Sequence, residues 1–186
     1  KIFLENPGVT NSTEPQAERT DAAKVDSKNF FASAGYSYNH YYSDELARRH
    51  ARRMLAVARS AGLEDDDLSA GQNHAVVVAE RDDMLRALDW CLDHDVGLGV
   101  ELVVALEGYL VAVDPAEGAR LVGRLLGRRD ELELELEPGL EAAALRVMSG
   151  GLYRSGDREG GLDFMRRSLA AFEALGDERR VASLEG

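Results

Sequence analysis

Cysteine occurs once in this chain, as Cys91, so no internal disulfide can form and a disulfide scaffold or cysteine-based zinc finger is excluded. Proline occurs four times, too rarely for a collagen-like or proline-rich disordered chain. No apolar run approaches the roughly 20 residues of a membrane span, and the Lys1 to Leu4 opening is too short for a signal-peptide apolar region. A cytoplasmic location is therefore expected, with no membrane partner. Lysine is confined to three positions, and none follows a glycine. The Gly-Lys-Ser/Thr end of a phosphate-cradling loop is thus missing, which excludes nucleotide hydrolysis by that device within this chain. A Gly-x-Ser-x-Gly elbow is missing too. The first residue is not Met, so a fragment or a processed piece is expected.

What is present suits a globular protein. The 186 residues are 45% apolar and 30% charged, with a net charge of −12. That sign disfavours nucleic acid as a partner, because affinity for phosphate backbones comes from clustered Lys and Arg. The charge is uneven: residues 1–62 carry 9 Lys/Arg and 7 Asp/Glu, and residues 63–186 carry 13 and 27.

Composition also breaks near residue 42. All three Lys, the only Ile and four of the five Asn lie in the first 40 residues, whereas the remainder uses the Arg, Ala, Leu, Val and Gly of a GC-rich gene. Residues 1–42 are read as an irregular arm, linker or foreign junction, and 43–186 as the helical domain. Within the arm, residues 5–29 lack helical periodicity. Phe30, Phe31, Tyr36, Tyr38, Tyr41 and Tyr42 are enough aromatic surface to dock on the helices.

From Asp44 the apolar spacing is helical. Leu46, Ala47, His50, Ala51, Met54, Val57, Ala58 and Ala61 make one stripe ending at Gly62. A second helix is expected over about 73–94, burying Val77, Met84, Leu88, Cys91 and Leu92. A third, over about 98–113, has only Glu101 and Glu107 charged and is therefore buried nearly all round. Asp114-Pro115-Ala116-Glu117 starts a fourth, with Leu121, Val122, Leu125 and Leu126 inward. The Glu/Leu alternation up to Glu137 is a linker with at most a short edge pairing near Leu132 to Leu136. Pro138-Gly139 opens a fifth helix, and Gly156-Asp157 separates it from a sixth that buries Leu162, Met165, Leu169 and Phe172. Gly176-Asp177 then repeats the punctuation before a seventh. Short links of this kind force antiparallel hairpins, so the fold class is all-α, a stack of helical hairpins.

Ser149, Gly161 and Ser168 occupy the three small-residue positions of a 34-residue tetratricopeptide hairpin, Gly156 marks its turn, and Ser183 lies 34 residues beyond Ser149. The stretch from Glu80-Arg81-Asp82-Asp83 to Ala87-Leu88-Asp89-Trp90 resembles the Glu-x-Asp-Asn…Ala-Leu-x-Trp signature of large bacterial signal-transduction ATPases, including LuxR-type regulators, with Asp83 where that family usually has Asn. Arg49-His50-Ala51 and the turns at Gly156-Asp157 and Gly176-Asp177 are similar to parts of the same helical region. The resemblance, over roughly 44–186, implies a tetratricopeptide-like right-handed repeat array within a regulator whose ATP-binding switch and DNA-binding domains lie outside this chain.

Chemistry-bearing residues are sparse. Asp93-His94-Asp95 could in principle ligate a metal, but no His pair has the one-turn spacing of a helical metal site. His50, on the apolar stripe, reads as a satisfied core histidine, and Cys91 as a buried structural thiol. Arg48, Arg49, Arg52, Arg53 and Arg59 form a basic face, read as pairing with acidic neighbours or solvated more readily than gripping phosphate. No catalytic residue, cofactor or metal is assigned. The expected function is non-catalytic protein or peptide binding and sensing, toward a partner or other domains of the parent chain, with Arg48, Arg49, Arg52, Arg53, Tyr109 and Tyr153 as candidate contacts. The alternatives are an all-α enzyme fragment with an acid/His site, and nucleic-acid contact through the Arg48–Arg59 face.

Overall fold

Helix boundaries follow from side chains that close the free backbone N–H groups of each first turn. The computed structural model describes residues 43–62 and 74–185. The proposed arm at 1–42, with its aromatic stretch, and the acidic loop Glu64 to Asp67 lie outside the described residues. Helix α1 covers residues 43–60, followed by α2 (His74–Ala79), α3 (Arg81–His94), α4 (Val96–Ala105), α5 (Glu107–Val113), α6 (Pro115–Glu131), α7 (Pro138–Ser155), α8 (Arg158–Leu175) and α9 (Glu178–Glu185). The fold is all-α, with no strand among the described residues. The chain divides into two units, Lys1–Leu46 and Ala47–Gly186, and the core and the helical hairpins belong to the second.

Acidic caps recur at the helix starts. Asp95 accepts from the Leu98 N–H at 3.2 Å, Glu137 from Leu140 at 2.8 Å, Asp157 from Gly160 at 2.9 Å and Asp177 from Arg180 at 3.1 Å. At α6 the Asp114 cap precedes Pro115, whose missing N–H costs nothing in a first turn. Helices α7 and α8 end on Gly156 and Gly176 in the left-handed region, at φ 106° and 70°, where a side chain would clash with its own backbone.

Two helices expected to be continuous are broken. The 73–94 expectation resolves into α2 and α3 around Glu80, although the Glu80 N–H still reaches the Val76 carbonyl at 3.1 Å and the Met84 N–H the Glu80 carbonyl at 2.9 Å. The 98–113 expectation begins two residues earlier, at the Asp95 cap, and bends by 63° between α4 and α5. No proline causes the bend. The Leu106 N–H is shared between the Leu102 and Val103 carbonyls, which tightens the turn and carries Leu106 into the core at 3% exposure. Among the described residues no single helix is long and apolar enough to cross a membrane; only the bent pair α4 and α5 together has the length and composition. The linker departs from expectation as well. Helix α6 continues to Glu131, and the chain turns through Glu133 at φ 51° without an edge pairing.

The main core surrounds α4. Val100, Leu102, Val103 and Ala105 are fully buried, against Leu121, Val122, Leu125 and Leu126 of α6, Met84, Leu88 and Cys91 of α3, and Met54 and Ala58 of α1. A smaller cluster joins Ala142 and Ala143 of α7 to Phe172 of α8. Helices α7 and α8 make the most extensive helix contact among the described elements, and small residues permit it. Ser149 Oγ donates to the Gly161 carbonyl at 2.9 Å, and Ser168 Oγ to the Ala142 carbonyl at 2.8 Å. A Cβ on Gly161 would lie 2.9 Å from the Tyr153 backbone N; on the other side of α7, against α6, one on Gly151 would lie 2.7 Å from the Pro115 carbonyl oxygen. Of the stripe residues, Leu46 and Leu162 are exposed, at 60% and 44%, while Leu55, outside the expected stripe, is buried.

Candidate interaction surface

Helix α1 is two-sided because its apolar residues recur every three to four positions. Ala51, Met54, Leu55, Ala58 and Ala61 are buried, and successive residues advance about 100° around the axis, which sets Arg49 and Arg53 opposite the buried side and Arg48 and Arg52 along its flank. All four arginines are exposed and form no ion pair with another described residue. Two rows result, Arg48 with Arg52 and Arg49 with Arg53, each rising about 6 Å along the helix.

Elsewhere among the described residues many arginines find carboxylates, although Arg154 and Arg166 do not. Arg59 reaches Glu101 at 2.9 Å, Arg124 reaches Asp89 at 3.1 Å, and Arg129 reaches Glu141 at 2.5 Å. Arg146 pairs with Glu107 where both side chains are mostly buried. Arg120 holds Glu117 at 2.6 Å, and that hydrogen bond keeps the Glu117 carboxyl below the usual range. Of the expectation that the α1 face is either paired with acidic neighbours or solvated, Arg59 shows the pairing and, among the described residues, the other four arginines are exposed without an ion pair.

The two tyrosines expected as contacts sit apart from this face. Tyr109 is buried at 6% exposure, edge-on to His74 with ring centres 5.7 Å apart. The expectation of a partner contact there is corrected: the Tyr109 ring lines an internal cleft with Leu88, Leu110 and Leu121, rimmed by Arg81, Asp114 and Glu117. That cleft measures about 20 Å³, room for roughly one water molecule and not for a ligand. Tyr153 is 47% exposed near the end of α7, with the Arg158 guanidinium 6.0 Å from its ring centre.

The remaining reactive groups are quiet. Cys91 is fully buried, and burial pushes its thiol up to about 12, which suppresses the nucleophilic thiolate. His50 is half-buried, with Nε2 3.1 Å from the Asp83 carbonyl oxygen. His94 stacks on Trp90 at 5.0 Å and places Nδ1 3.0 Å from the Trp90 carbonyl oxygen. Among the described residues no group of three or more His, Cys, Asp or Glu could hold a metal ion. Sequence reasoning missed the Glu107–Arg146 pair; its signal was a lone acid in an apolar helix, but the partner lies 39 residues away.

Comparison with known proteins finds no family model, no curated protein and no solved structure that matches this chain.

Proposed function

We propose that this chain is a non-catalytic protein- or peptide-binding and sensing module of a larger bacterial transcriptional or signal-transduction regulator, built on a tetratricopeptide-like array of helical hairpins. The observation that carries this reading is the α7–α8 hairpin. Its three expected small positions, Ser149, Gly161 and Ser168, all lie buried at the contact, and the two serines hydrogen-bond across it. Hairpins so closed stack into arrays whose faces bind extended or helical segments. The same acid-capped glycine turn recurs at Gly156-Asp157 and Gly176-Asp177. Support for the regulator context comes from His50, which joins the Arg49-His50-Ala51 and Glu80-to-Trp90 stretches through the Asp83 carbonyl.

Selection of a random peptide library on the immobilised chain tests the binding role. Recovery of peptides that compete with one another in solution is the expected result. Recovery of none, of any composition, would overturn it.

A further inference from the structure

We infer that the α1 face formed by Arg48, Arg49, Arg52 and Arg53 is a docking surface for an acidic protein segment, one presenting Asp or Glu side chains at one-turn helical or alternate extended spacing. The inference rests on the protein-binding reading and names the partner's chemistry.

Three observations carry it. First, among the described residues these four clustered, exposed arginines pair with no carboxylate, while Arg59, one turn beyond Leu55 on the same helix, does. Second, the geometry suits carboxylates. Rows with a rise of about 6 Å match acids four apart on a helix, or alternate residues of an extended segment at roughly 6.6–6.8 Å. Arginine's planar fork takes each carboxylate through two hydrogen bonds. Third, the surroundings limit the partner's length and kind. The patch rises only about 8 Å along α1, and residues 63–186 carry 27 acids against 13 bases. A short acidic segment meets only the patch, within the roughly 8 Å Debye length of physiological salt. A nucleic acid would extend past it into the negative field of the molecule, with fewer than the 6–10 phosphate contacts typical of duplex binders. Among the described residues, the exposed positions just beyond the patch, Ala56 and Ser60, carry no ring for base stacking.

The test is fluorescence anisotropy of the whole chain with labelled poly-glutamate and with poly-deoxythymidine of matched length, at low salt. Two double variants are compared: Arg48→Glu with Arg52→Glu, and the control Arg154→Glu with Arg166→Glu, which applies the same charge change at exposed sites on α7 and α8. Far-UV circular dichroism verifies that both remain helical. The expected result is that poly-glutamate binds more tightly than the oligonucleotide, and that the α1 variant weakens it by at least about tenfold while the control changes it by less than about threefold. Equal weakening by both variants, or no poly-glutamate binding, overturns the inference. So does tighter oligonucleotide binding that the α1 variant abolishes, which assigns the face to nucleic acid. Library peptides that bind the α1 variant unchanged overturn this inference alone and leave the protein-binding reading standing.

Discussion

The core around α4 and the contact between α7 and α8 solve the same problem with opposite materials. Around α4, large aliphatic side chains such as Leu102, Val103, Val122 and Leu125 are buried almost completely, and stability comes from apolar area removed from water. Between α7 and α8 the contacting residues include Ser149, Gly161 and Ser168, and Phe172 is the one fully buried large side chain among the described residues of the small cluster there. That second contact gains from close approach and from hydrogen bonds between side chain and backbone. The first regime tolerates a change of shape at constant volume; the second is intolerant of a single added carbon. Val104 packs against both clusters, so the two are expected to melt together.

The largest expected effect tests that coupling. Phe172→Ala should cost about 3–5 kcal/mol and Leu102→Ala about 2–5 kcal/mol in urea unfolding. In each variant far-UV circular dichroism and the fluorescence of Trp90, on α3, should share one midpoint. If Phe172→Ala loses helix before Trp90 responds, the regions are separate units and the comparison becomes one between independent folds. Next in size is Gly161→Ala, which forces a Cβ to within 2.9 Å of the Tyr153 backbone N and should cost about 1–3 kcal/mol, whereas Leu125→Met in the α4 core should cost less than about 1.5 kcal/mol. The reverse order would break the contrast.

Smaller again is Ser168→Ala. It removes the hydrogen bond to the Ala142 carbonyl while leaving the packing, and thermal unfolding should register about 0.5–1.5 kcal/mol. At Cys91 no pH effect on stability is expected at neutrality. Burial raises the thiol from 9.0 to about 12, so its contribution is complete below pH 9 and is lost as pH rises toward 12, because only the unfolded chain ionises in that window. Iodoacetamide at pH 8 should leave the folded protein unlabelled and modify it rapidly in denaturant; labelling of the native state would show that α3 opens away from α4.

The elements easiest to read from the sequence are those whose signals are local. The Asp114-Pro115 start of α6 and its inward Leu121, Val122, Leu125 and Leu126 need only neighbouring residues, as do the Gly-Asp turns. The breaks at Glu80 and Leu106 carry no proline and no glycine at the break itself, because they arise where a helix must follow the core laid down by others. Leu55 escapes the pattern for the same reason: helix α1 is buried over a wider arc than one stripe. The basic face of α1 is legible as a cluster of arginines. That they pair with no acid among the described residues is not, since that depends on which way the acids of every other helix point. Tyr109, expected at the surface, sits on the short α5, whose direction is set by the bend before it.

That bend also limits the length of the apolar stretch. Straightened, residues 96–113 would make a helix of about 27 Å, close to the hydrocarbon thickness of a bilayer, interrupted only by Glu101 and Glu107. A straight helix of that length would present one continuous apolar stretch able to reach across a bilayer. Once Leu106 turns it through 63°, neither half retains that length, and Glu101 and Glu107 are claimed by Arg59 and Arg146.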